Sequence, residues 1–133
     1  MSLNKDHYQV FASLLEQLRS DVTNTQLNAT ELRQRLASLK QFFGQQIVPL
    51  SEVDSREREV RAEASSDRNF AREQSYRTEM SKQLRLLEID IMFFQGARQE
   101  STAQARLQTI RDRLTTLIRY CDAILRPEDT GEK

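Results

Sequence analysis

The chain has 133 residues, enough for one hydrophobic core and too few for two ordinary domains. With 38% hydrophobic and 30% charged residues, no Trp, 3 Gly and 2 Pro, it lacks the punctuation of a strand-rich fold and favours long helices. Twenty basic and twenty acidic side chains cancel, which leaves no global field to draw the chain onto nucleic acid or an anionic membrane.

Met1 to His7 show no basic segment leading into an apolar one, and no stretch approaches the roughly 20 apolar residues of a membrane span. Cys121 has no second cysteine to pair with, so a cytoplasmic location is expected. From about Leu3 to Thr23, Tyr8, Phe11, Leu14, Leu15, Leu18 and Val22 recur at steps of three and four, the spacing of one helical stripe. Asn28 stands three residues before Glu31, a capping-box pair that predicts a second helix start. Its stripe is Leu32, Leu36, Leu39, Phe43 and Ile47, with Phe42 at the edge, and Pro49 predicts a stop near Val48.

Residues 51–69 carry six acids and four arginines, with Val53 and Val60 as the sizeable apolar groups. Glu52 with Arg56, Asp54 with Arg58 and Glu57 with Arg61 are acid-before-base pairs at i,i+4, which favour a solvated helical extension over a linker. The third helix is predicted from Tyr76 to Gln95, with Gly96 as its left-handed C-terminal residue. A Ser101/Gln104 box then opens a fourth helix through Leu107, Ile110, Leu114, Leu117, Ile118, Cys121, Ile124 and Leu125 to Pro127. Four amphipathic helices with short connections predict an all-α, antiparallel four-helix bundle over residues 1–126, with a charged extension before the third helix and a disordered tail at 127–133.

The pattern lacks the residues that familiar bundle chemistries require. A di-iron bundle needs paired E-x-x-H motifs, and a zinc site needs several Cys or His ligands, whereas this chain has one of each. Cys121 continues the apolar stripe of the fourth helix and reads as a core residue. His7 sits at a helix start with Phe11 one turn on, unlike an exposed phosphorylatable histidine within a bundle helix, and Gly44, Gly96 and Gly131 stand alone rather than forming a phosphate loop. A non-enzymatic protein without cofactor or metal is therefore expected.

The third helix carries a surplus of apolar surface. At 100° per residue, Leu84, Leu87, Ile91 and Phe94 share one arc, while Leu86, Ile89, Met92 and Phe93 fall on a second, with Glu88 and Asp90 between them. Either this helix is central and covered on both sides, or the second arc is a face for a protein partner or for a second copy in a homodimer. From Arg98 to Arg126, six arginines face three acids; Arg106 and Arg113, seven apart, make a candidate basic contact flank. Nucleic acid is a disfavoured partner for a stripe so narrow.

The runs Lys82-Gln83-Leu84-Arg85-Leu86-Leu87 and Asp90-Ile91-Met92-Phe93-Phe94-Gln95-Gly96-Ala97-Arg98-Gln99 resemble the PatD family of heterocyst frequency control proteins of filamentous cyanobacteria. Thr102 to Arg106, Asp112 to Cys121 and Leu39 to Phe43 extend the likeness, which spans roughly residues 30–48 and 76–125. The resemblance implies a cytoplasmic regulator that limits heterocyst number and binds FtsZ, the tubulin-like division GTPase, altering its polymer assembly or bundling. It transfers no binding residue, so the candidate face rests on periodicity alone. The alternatives are a small nucleic-acid-associated regulator and a structural helical assembly subunit.

Overall fold

The local signal at Asn28 is realised in full. Its side-chain oxygen accepts from the Glu31 N–H at 2.8 Å, and the Glu31 carboxylate accepts from the Asn28 N–H at 3.0 Å. Two N–H groups that a helix start leaves without intrahelical partners are thereby satisfied. The computed structural model describes residues 3–24, 27–49 and 64–126. Over these the chain forms α1 (Leu3–Asn24), α2 (Ala29–Phe42) continued by a π-helical turn (Phe43–Ile47), α3 (Ala64–Gly96) and α4 (Glu100–Leu125), with no strand among the described residues. The fold is an all-α helical bundle. The predicted pairs of Glu52, Asp54 and Glu57 and the predicted disordered tail lie outside the described residues.

Side-chain bridges show how the helices run. Arg33 reaches Gln95 and Lys40 reaches Glu88, so α2 and α3 are antiparallel. Tyr76 meets Tyr120, and Asp90 meets Arg113, so α3 and α4 are antiparallel as well. Asp21 of α1 pairs with Arg35 of α2 at 2.9 Å, while Phe11 lies against Phe42 and Phe43, so α1 and α2 are antiparallel, and Arg19 of α1, donating to the Thr115 hydroxyl of α4 at 3.1 Å, closes the up-down-up-down circuit.

The stripes meet in one core. Tyr8, Phe11, Leu15, Leu18 and Val22 from α1 pack with Leu32, Leu36, Leu39, Phe43 and Ile47, with Met80, Leu84, Leu87 and Ile91 from α3, and with Ile110, Leu114, Leu117, Ile118 and Cys121 from α4. Leu14 departs from the prediction and is 41% exposed. The stripe Tyr8, Phe11, Leu15, Leu18, Val22 is narrower than the one predicted, and Leu14 lies 100° from Leu15, beyond its edge.

Two helix ends also differ from expectation. Gly96 keeps an ordinary backbone rather than the left-handed one, and α3 closes with the Ala97 N–H donating to the Phe94 carbonyl at 3.1 Å, a tightened last turn. α4 starts at Glu100, ahead of the predicted Ser101/Gln104 box; its N-cap is Gln99 without a side-chain bond, and Gln104 instead donates to the Glu100 carboxylate at 3.0 Å. At the end of α2, the Val48 N–H bonds the Phe43 carbonyl five residues back, at 2.9 Å, immediately before Pro49.

Burial sets the protonation of two core groups. Desolvation pushes the Cys121 thiol up to about 12, with Asp122 and Glu16 acting in the same direction. Burial, helped by Glu73, raises the Tyr8 phenol as well. Both groups hold their protons more tightly folded than unfolded, so the unfolded chain releases protons first as pH rises. Their contribution is intact below pH 9 and is lost upward from there, at up to about 1.4 kcal/mol per pH unit for each group. Urea midpoints should therefore fall steeply between about pH 9 and pH 11, and Cys121→Ala should flatten part of that slope. A midpoint unchanged over this range would contradict the burial of both groups.

Candidate partner-binding face

α3 lies at the edge of the bundle rather than at its centre. Leu84, Leu87 and Ile91 turn into the core at 3%, 0% and 1% exposure, as their arc predicts. The other arc is open: Met92 is 61% exposed, Phe93 53% and Ile89 40%, with Leu86 half-buried beside them. Core burial of both arcs, one of the two readings left by periodicity, is thereby excluded among the described residues. Side chains three, four and seven apart on a helix are neighbours, so Lys82, Arg85, Ile89 and Met92 form one solvent-facing row and Leu86, Ile89 and Phe93 an adjacent one.

The predicted basic flank divides in two. The Arg106 guanidinium lies over the Phe93 ring, 4.5 Å from its centroid, a contact that holds the ring while leaving half of it in water. Arg113 is not a free surface cation. It forms an ion pair with Asp90, which is 4% exposed, and its Nη1 lies 3.4 Å from the Gln83 side-chain oxygen. The sequence places Asp90 merely between two apolar arcs; the structure shows why a carboxylate is tolerated there, since α4 supplies the cation it needs. Arg113 thus positions α4 against α3 and is withdrawn from any outside partner.

Residues 36–121, more than half of the sequence, match the CRR41 C-terminal domain family. The chain belongs to this family. In it, the CRR41 C-terminal domain match begins within α2 and ends within α4, and therefore includes the whole α3 face together with Arg106 and Arg113. No curated protein and no solved structure matches the chain.

A second polar assembly was missed by sequence reasoning. Arg77 of α3, 5% exposed, donates to the Glu73 carboxylate at 2.7 Å and to the Tyr8 hydroxyl at 2.9 Å, and that hydroxyl donates to Glu73 at 3.0 Å. This links the start of α1 to α3 by groups that a slipped register would leave unpaired in the interior. The one sequence clue was the i,i+4 spacing of Glu73 and Arg77, which on a solvated helix would mean little. At the opposite end of the bundle a cleft of about 270 Å³ opens between Val22, Leu27, Phe94 and Leu107, with Glu100 and Arg111 at its rim.

Cys121 is fully buried with its thiol protonated at neutral pH, which withholds the thiolate that nucleophilic attack requires. Among the described residues, no three His, Cys, Asp or Glu side chains converge as metal ligands would. No helix of the described residues is long and apolar enough to cross a membrane.

Proposed function

We propose that this domain is a non-enzymatic regulator that acts by holding a protein partner on the outer face of α3. One observation carries the proposal: Ile89, Met92 and Phe93 stand 40% or more exposed in adjacent rows on a helix whose other arc already fills the core. Removing such a group from water is worth roughly 1.5–3 kcal/mol when complete, so covering this face would contribute several kcal/mol to an association. A folded domain has no stability reason to keep these residues outside.

The resemblance of Lys82 to Leu87 and Asp90 to Gln99 to the PatD family supports FtsZ as the specific partner, with control of heterocyst frequency in the cytoplasm as the physiological role. These residues are those of the exposed face and its underside. If the domain, as a dimer or through a second contact, engages two filaments, it bundles them by multivalency; with one contact it caps or sequesters subunits. Sedimentation of FtsZ polymers separates the cases. Bundling raises the pelleted fraction, sequestration lowers it, and an unchanged pellet removes FtsZ from the proposal.

The nucleic-acid alternative draws less support. Its flank was Arg106 and Arg113, and Arg113 is committed to Asp90 while Arg106 covers Phe93. That leaves this flank without a pair of free cations spaced to follow phosphates.

A further inference from the structure

We infer that the outer face of α3 is a docking site for an acidic, amphipathic segment of a partner protein, one that brings two or three large apolar side chains flanked by Asp or Glu. This rests on the partner-binding reading above and specifies the chemistry of the partner. The charge around the face is one-sided. The nearest carboxylates on α3 are already engaged: Glu79 with Lys82 at 3.4 Å and Glu88 with Lys40 at 2.9 Å. Arg85, in the same row as Ile89 and Met92, and Arg106, over Phe93, form no ion pair with any described residue. Nor does Arg98, in the connection just beyond α3. The apolar centre is thus bordered by Arg85 and Arg106, which no described carboxylate pairs with.

That asymmetry separates the occupants. In a symmetric dimer a residue near the two-fold axis meets its own copy, so pairing this face with itself would bring the unpaired arginines toward their own copies around an apolar centre. A segment carrying carboxylates answers the same cations and gains affinity from both contributions. The size of the patch points the same way. From Leu86 to Phe93 it occupies about two helical turns, roughly 10 Å, which suits the i, i+3/i+4, i+7 anchors of a short docked helix. An anionic bilayer is instead gripped by a longer amphipathic helix lying in the interface.

The test uses the full chain as bait for a random 16-residue peptide library displayed on phage, with Phe93→Glu as the counter-selection bait. Enriched peptides are expected to combine Leu, Ile or Phe at helical spacing with flanking Asp or Glu, and to be lost on Phe93→Glu. For the best peptide, fluorescence anisotropy should show at least tenfold weaker binding to an Arg85→Glu/Arg106→Glu variant. Far-UV circular dichroism and urea midpoints check that both variants remain folded, as expected for substitutions at the exposed Phe93 and Arg85 and the half-buried Arg106. Enrichment of basic peptides, or enrichment indifferent to Phe93→Glu, overturns the inference. A dimer in sedimentation velocity that Phe93→Glu dissolves overturns it in favour of a second copy. Co-sedimentation with phosphatidylglycerol vesicles that Phe93→Glu abolishes, in place of peptide binding, overturns it in favour of a membrane surface. If acidic peptides bind and FtsZ does not, the face is right and the named partner wrong; if FtsZ pelleting changes but is indifferent to Phe93→Glu, the reverse holds.

Discussion

Phe11→Ala is expected to destabilise the domain by about 3–5 kcal/mol, a large share of what holds a bundle of this size together. Phe11 is fully buried, and its ring stacks on Phe42 at 5.9 Å with an interplanar angle of 5° and meets Phe43 at 5.7 Å. These contacts join α1 to the end of α2 where the helix widens into its π turn, so the neighbouring backbone is already committed and poorly placed to close a ring-sized hole. Phe93→Ala provides the internal comparison. That ring is 53% exposed and has one described ring contact, with Arg106, so its truncation should cost under about 1 kcal/mol. Urea unfolding of the two variants should separate their midpoints widely at equal slope. Equal losses would mean that the two aromatic residues have been assigned to the wrong sides of the molecule.

Arg113→Met should cost about 3 kcal/mol, although Arg113 itself is partly exposed. The loss does not come from the arginine's own packing. It comes from Asp90, whose side chain is 6% accessible and would be left as a buried carboxylate without its cation. The 27% accessibility of Arg113 places the expected figure at the lower end of the range for broken buried pairs, because water can reach part of the vacated space. Asp90→Ala alone should cost less, since the flexible arginine can turn its head to solvent. Combining Arg113→Met with Asp90→Leu should recover much of the loss, because an apolar pair of similar volume replaces two charges that had to be desolvated. A double-mutant cycle in urea measures this coupling directly. Additive single effects would show that the two side chains contribute independently and that α4 is held against α3 by its apolar stripe alone.

The two substitutions differ in how visible their targets are in one dimension. Phe11 belongs to a row spaced at three and four, which predicts it inside, although Leu14 of the same row lies outside. Asp90 and Arg113 are 23 positions apart on separate helices, and neither carries a local mark of its partner. The same division applies to the candidate site. Ile89, Met92 and Phe93 were legible as a second arc, but periodicity left open whether other helices covered it. Arg106 and Arg113 looked equivalent, seven residues apart on one flank; about two turns of α4 separate the one that lies over an aromatic ring from the one that enters an ion pair.

By itself, the sequence determined the helices, the Asn28–Glu31 cap, the core-facing stripes and the presence of one apolar arc too many on α3. These follow from short-range geometry, because the rise and turn of a helix convert spacing directly into angle. The tertiary structure alone decided which arc of α3 meets water, that Arg113 belongs to Asp90, that Tyr8, Glu73 and Arg77 share a buried network, and that Leu14 stays outside. Each of these depends on what stands opposite a side chain on another helix. An angle around one helix axis carries no information about that, because it is set by how all four helices pack at once.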